Sequence, residues 1–497
     1  MNLPDFRGYC RRHHAALAAL VLGLAAFNLT YRLDREFVTE WDESLYAMSA
    51  WEMADSGDWV GVRMFGNLDY SNTKPPLNVW LITLAFKAFG RGLVSLRLAS
   101  VVSAWLTILA LMVWARRRYD RSVALAAGTI LATTFGFLHV HSGRTANTDA
   151  LFTLLVLLVV IALSAEERHP WKRLYVGPLL AAAFLLRGMG VLLPLAIVVV
   201  VDVWTRRFER QRLMWSAAAV LLGLMPVAAW GWARYRLDGF MFLERLFNYD
   251  FVARSVQALD GHAGGPLYYL NILVKHQYEW LAVCVAAVLL CPLTLSNVRS
   301  ASWFDRGHRS SSVLITAWAL CTVLIPTVMA TKTPWYLTTF YPLFALGVAR
   351  VLVLAFRQLL TMPNATARIV SLAAITVVMF GIAEAKLWVY SANYRDLTTS
   401  AQGLLLDERA RLAGRDVYRD RFDRSTTFVA GLVGIRLRTA SSFDELLHTT
   451  HVGDYLLVTA PTMVPHRRLV VIRSNNGNWL LLRRPHAGVS HRFRPKR

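Results

Sequence analysis

Apolar positions along this chain gather in long unbroken blocks instead of one-faced stripes. A helix rises about 1.5 Å per residue, so a bilayer core about 30 Å thick takes roughly 20 apolar residues. The blocks predict eleven spans, at 13–31, 96–115, 122–141, 150–165, 173–187, 189–204, 213–236, 277–296, 311–330, 335–357 and 367–390. Residues 76–90 are apolar but short, and read as an interfacial or re-entrant helix. A short tilted crossing there is the alternative. Beyond residue 390 the pattern changes. Apolar and polar positions alternate at 454–459, 468–473 and 479–483, and Asn475-Asn476-Gly477-Asn478 is a hairpin signal. The chain therefore divides into a transmembrane part, 1–390, and a small α/β domain, 391–497.

Charge orients the spans. Arg116–Arg118 and Arg121, then Arg168, Lys172 and Arg173, then Arg206, Arg207, Arg210 and Arg212 stand in short connections. Arg299, Arg306 and Arg309, and then Arg357 and Arg368, continue the series. With the N-terminus inside, every one of these connections is cytoplasmic, as the positive-inside rule requires. A crossing by 76–90 inverts that pattern. The outer face then holds 32–95, 142–149, 237–276, 331–334 and 391–497. Arg7, Arg11 and Arg12 precede the first span without a clear small-residue cleavage site after it, so the span reads as uncleaved.

Composition agrees with this class. The chain has 497 residues, 55% of them hydrophobic, and a formal charge of +22. Its mean hydropathy is +0.39 and its pI about 10.3. Much of the basic excess lies in loops, and there is no basic helix or aromatic platform outside the spans, which argues against nucleic-acid binding. Cys10 is N-terminal, and Cys284, Cys291 and Cys321 lie in or beside spans. None falls in an outer segment, so neither a disulfide nor a zinc cluster is expected.

The topology gathers unusual polar residues on the outer face. Asp42 and Glu43 follow the first span, and Lys74 stands in Asn72-Thr73-Lys74-Pro75-Pro76. Arg144 and Asp149 end the third span's outer turn, and His262 precedes Gly264, Gly265, Tyr268 and Tyr269. Lys332, Trp335 and Tyr336 form the turn before the tenth span. Each has a local explanation. Asp42 and Asp149 suit helix caps, Lys74 can snorkel, Arg144 can pair with Asp149, and the aromatics suit an interfacial belt. Local explanations leave the convergence of acids and bases on one face unexplained, and ionisable groups at this depth are costly.

Such a set suits a sugar joined to an isoprenoid through phosphate. Lys74, Arg144 and Lys332 stand at headgroup depth to hold the phosphate. A lipid phosphate leaves without a strong acid but needs cations to stabilise it. An acceptor hydroxyl benefits from a carboxylate base, for which Asp42 is the candidate. Were the acceptor itself a phosphate, Asp42 would orient it or bind a cation instead. Attack opposite the leaving phosphate predicts inversion.

The order Asp42-Glu43, Gly57-Asp58-Trp59, Lys74-Pro75-Pro76-Leu77, Phe89-Gly90, Arg97-Leu98, Arg144-Thr145 and Asp149 resembles the bacterial membrane glycosyltransferases of the C-type fold. Within that group it is most similar to the lipid A aminoarabinose transferases and the protein O-mannosyltransferases. The resemblance implies a C-type fold of about 11–13 spans with a C-terminal extracytoplasmic domain in a bacterial plasma membrane. It implies a polyprenyl-phosphate sugar donor and an outer-face lipid, glycan or protein acceptor. Asp42 and Asp149 would be the essential acids, with Glu43 beside them. Lys74 would contact the donor phosphate, and Tyr336, Trp335, Tyr70, His262 and Tyr269 would line the cavity. Two departures stand out. Leu45 replaces an Arg that closely follows the acidic pair, and Thr73 replaces a Glu before the lysine. That Glu and the residue matching His262 are associated with a metal, so a divalent cation is left open here. A transporter or flippase of lipid-linked sugars is the competing class. Arg187-Gly188-Met189-Gly190, between two apolar halves, is its one hint, and reads equally as an outer turn.

Overall fold

The computed structural model of the chain describes residues 13–166, 169–206, 209–291, 309–459 and 469–484. Cys10 and the arginines at 7, 11, 12, 168, 207, 299 and 306 lie outside the described residues. Helix α1 is His14–Thr30, followed outside the first span by α2 (Asp42–Ser56), a small ribbon of β1 (Arg63–Met64) with β2 (Asn67–Leu68), and α3 (Leu77–Phe89). The long helices continue with α4 (Leu93–Arg118), α5 (Arg121–Ala132), α6 (Asp149–Ala165), α7 (Val176–Arg187) and α8 (Leu192–Thr205). Then come α9 (Arg210–Asp238), α10 (Tyr268–Leu290), α11 (Arg309–Val328), α12 (Tyr341–Leu359) and α13 (Thr366–Val389). Apart from α2 and α3, these helices fall in the predicted spans. Among the described residues, seven helical stretches are long and apolar enough to cross a membrane. The molecule is a polytopic α-helical membrane protein.

Its two poles differ. At one, Arg357 on α12 meets Asp120, and Arg173 joins Glu166 and Asp202, with Arg212 near Glu166. These are the predicted cytoplasmic connections. At the other pole lie Asp149, Arg187 and the outer loops. Helix α3 has 13 residues. That is about 20 Å at the helical rise, close to the length of α5 and α7. Lys74 before it reaches Asp250 at the loop pole.

Helices α4, α5, α6 and α12 form the centre, where Ile108, Ala127, Val156 and Ala349 are fully buried. Packing among apolar helices depends on close approach. A Cβ on Gly177 of α7 would sit 1.8 Å from the Ala219 carbonyl oxygen of α9, so only glycine permits this crossing.

Several boundaries differ from expectation: the span expected at 122–141 ends at Ala132, and the α-helix of the span expected at 335–357 begins at Tyr341 after a 3-10 turn. Helix α10 starts at Tyr268, well before 277, and bends at Gln277. Its polar residues suggested loop. Instead Lys386 Nζ donates to the His276 carbonyl oxygen and to Glu279, which satisfies charge inside the helical layer.

The C-terminal part is an α/β unit. Its sheet comprises β3 (Asp416–Arg419), β4 (Arg436–Thr439), β5 (Tyr455–Thr459), β6 (Leu469–Asn475) and β7 (Asn478–Arg483). The strand order is β4-β3-β5-β7-β6. Strand β3 runs parallel to β4 and β5, and β7 is antiparallel to β5 and β6. The predicted hairpin closes at Asn476 and Gly477, both with positive φ. Helix α14 (Ala401–Asp407) and helix α15 (Arg424–Leu432) carry the unit onto the outer loops. There Phe428 packs edge-on against Trp51 and stacks on Phe86, while Gln402 exchanges hydrogen bonds with the Val38 backbone.

Candidate active site

A cavity of about 660 Å³ opens at the loop pole. Helix α2 brings Asp42 to it as the first helical residue. The Asp42 side chain is 46% exposed and its Oδ2 lies 3.4 Å from His141 Nε2. The other ring nitrogen of His141 lies 3.1 Å from Asp149 Oδ2. Asp149, at the start of α6, is buried, and its second oxygen accepts a 2.6 Å hydrogen bond from Arg187 at the end of α7. The His141 ring stacks on Trp335, with centroids 4.2 Å apart and planes 14° apart. His262 meets the same indole edge-on.

Cations occupy the neighbouring wall. Lys74 Nζ lies 2.5 Å from Asp250 Oδ2, and Arg254 Nε lies 3.1 Å from Asp250 Oδ1. Burial alone would raise the Asp250 carboxyl, but Lys74 and Arg254 outweigh it and hold it below the usual carboxylate range. Arg254 also donates to the Tyr336 hydroxyl at 3.4 Å, and the Arg187 guanidinium lies 5.5 Å from the Tyr336 ring centre. Two carboxylates, Asp250 and Asp149, thus meet three cations, so this wall keeps one positive charge to offer an anion. Tyr70 lines the cavity too, under Arg234. The C-terminal part adds Arg395 and Arg424 to the rim. Arg424 pairs with Glu40 at 3.5 Å.

The family profile described as dolichyl-phosphate-mannose-protein mannosyltransferase matches residues 73–230. The undecaprenyl phosphate-α-4-amino-4-deoxy-L-arabinose arabinosyl transferase of Pseudomonas paraeruginosa is 28% identical over 344 residues, covering 67% of this chain and 60% of that protein. The Pseudomonas aeruginosa protein of the same name is 29% identical, covering 63% and 56%. The chain thus matches less than two thirds of these relatives' length. ArnT from Cupriavidus metallidurans, solved bound to undecaprenyl phosphate, superposes with a TM-score of 0.68 at 17% identity, covering 94% of this chain and 98% of that one. The Archaeoglobus fulgidus oligosaccharyltransferase gives 0.53 at 13% identity, covering 88% and 65%. The fold is the C-type glycosyltransferase fold.

Within this C-type fold the sequence-derived residues separate into two groups. Asp42, Tyr70, Lys74, Asp149, His262, Trp335 and Tyr336 line the cavity. Glu43 and Arg144 do not. Glu43 is fully buried, 2.8 Å from Arg97 Nε, with Arg395 at 3.6 Å. Burial would raise its carboxyl, but Arg97 and Arg395 hold it down to about 2. Arg144, expected at the phosphate, is buried, bound to Glu36 at 2.6 Å and donating to the carbonyls of Asn28 and Tyr31. Its burial holds its guanidinium below the ordinary arginine range. The reason for both departures is the same. The first loop's entry and exit need a charged clamp, and side chains saturated by carbonyls and carboxylates have no donor left for substrate. Lys332 likewise points away, donating Nζ to the Met329 carbonyl oxygen, while its backbone N–H binds the His262 carbonyl oxygen. Tyr269 lies behind the wall, packed on Tyr268.

A metal does not fit this site. Among the described residues no three His, Cys, Asp or Glu side chains converge to hold one, and Thr73 lines the cavity where a carboxylate would be needed beside His262. His141, Asp250 and Arg254 escaped the sequence reading. His141 stands inside a motif already singled out, and Asp250 with Arg254 is a spacing-of-four pair in a loop taken as irregular. Much of that loop is helical, with a π-helical stretch at Leu246–Ala253 that turns Asp250 toward Lys74 and brings it against Arg254, the residue that follows the stretch.

Proposed function

We propose that the protein transfers a sugar from a polyprenyl-phosphate donor to an acceptor at the outer face of a bacterial plasma membrane, with inversion. The observation that carries this reading is one cavity lined both by the half-exposed Asp42 carboxylate and by Lys74, Arg187 and Arg254. The cations hold the donor phosphate and stabilise it as it leaves. Asp42 takes the acceptor proton as the acceptor oxygen attacks the anomeric carbon. Tyr336 joins the phosphate end through Arg254 and Arg187, and Asp149 keeps Arg187 in place.

The names of the relatives support the finer reading, an undecaprenyl-phosphate-linked aminopentose as donor. The resemblance to aminoarabinose transferases supports a lipid A-type acceptor. The basic connections opposite the cavity support an exterior or periplasmic site. Residues 1–390 would be the catalytic membrane part and 391–497 an extracytoplasmic unit completing the rim with Arg395 and Arg424.

The test is sugar transfer by purified protein in nanodiscs, using radiolabelled polyprenyl-phosphate sugars, including a pentose and hexoses. Wild type should release sugar from at least one donor, and Asp42→Asn should lose about a hundredfold or more in rate. No binding of any donor by wild type would favour the transporter class instead.

A further inference from the structure

Asp42 and Asp149 do not meet directly. His141 stands between them, 3.4 Å from Asp42 and 3.1 Å from Asp149. Each ring nitrogen thus has a carboxylate oxygen beside it, and the ring is held flat against Trp335. Its backbone sits at φ 59°, a conformation uncommon outside glycine. The loop around it is tied, since the Gly143 N–H binds the Phe137 carbonyl oxygen and the Arg144 N–H that of Leu138.

We infer that His141 is a positioning residue, whose ring links Asp42 Oδ2 to the buried Asp149–Arg187 pair and leaves Asp42 Oδ1 to receive the acceptor proton. This rests on the glycosyltransferase reading above. The charged groups facing the ring are Asp42 from α2 and Asp149 from α6. Arg187 acts on the far oxygen of Asp149, and His262 lies across Trp335. The ring is thus held by carboxylates on both sides. Asp42 gains the acceptor proton as the C–O bond to the sugar forms, and the bond to the lipid phosphate breaks with its electron pair. Without His141, Asp42 loses its orientation, which lowers kcat while the cations that hold the donor stay in place.

The experiment compares wild type with His141→Gln in nanodiscs, reading transfer, donor binding and thermal unfolding. The expected result is kcat lower by about tenfold or more, donor KM within about twofold and an unchanged melting temperature. An unchanged kcat would overturn the inference. So would a parallel loss of donor binding and stability in both His141→Gln and the smaller His141→Asn, which would make the residue structural. Wild type inactive with every donor would overturn the underlying reading, and this one with it. An active wild type with unmoved variants overturns the inference alone.

Discussion

Replacing Glu43 by Gln separates scaffold from chemistry in the acidic pair. The carboxylate is fully buried, bound by Arg97 Nε at 2.8 Å, with Arg395 at 3.6 Å. It also accepts hydrogen bonds from the backbone N–H and hydroxyl of Thr39 and from the Ala146 N–H. Glutamine keeps the shape and loses the charge. The folded protein holds this carboxyl at about 2 against an ordinary 4.5, which is worth about 3 kcal/mol. Breaking a buried ion pair costs about 3–5 kcal/mol. The lower end applies here, because Arg97 still donates to the carbonyls of Leu33, Glu36 and Phe37. A depressed carboxylate contributes its stability above the unfolded value and loses it as pH falls through the folded one. Near pH 7 the variant should therefore be about 3 kcal/mol less stable, and the gap should narrow from about pH 4.5 toward about pH 2. Equilibrium unfolding in mixed micelles, run alongside transfer assays on the folded fraction, reads both quantities. A variant as stable as wild type but without turnover would refute the reasoning and return Glu43 to the chemistry.

Lys74→Met leaves Asp250 paired with Arg254 and removes one cation from the phosphate wall. Donor affinity should fall about tenfold or more, by binding of labelled lipid, with α3 still docked. Gly177→Ala drives a methyl into the α9 backbone. It should lower stability by about 1–3 kcal/mol or more and reduce the folded yield on size-exclusion chromatography, whereas Gly231→Ala on the same α9, where a Cβ meets nothing, should not. Asp149→Asn should abolish turnover and also lower stability, because the buried Arg187 then lacks its counter-charge. The Asp42→Asn protein should melt like wild type.

The sequence by itself determined the class and the sidedness. Apolar blocks need only length to be read, and the arginines at their ends orient them, because bilayer thickness and loop charge are one-dimensional constraints. The places of Asp42, Lys74 and Asp149 in the cavity were also legible from motif order, and that of Tyr336 from its turn before the tenth span. Tertiary structure alone decided which charges are spent on each other. Arg144 and Arg187 are both arginines at a span's outer end. The first is saturated by Glu36 and two carbonyls, while the second lies against Tyr336 in the cavity. Glu43 and Asp42 are adjacent, yet one helical step turns the first into the Arg97 clamp and the second toward His141. Asp250 joins Lys74 across 176 residues. Such pairings depend on three-dimensional proximity and burial, which decide whether a charge is neutralised by protein or left for substrate.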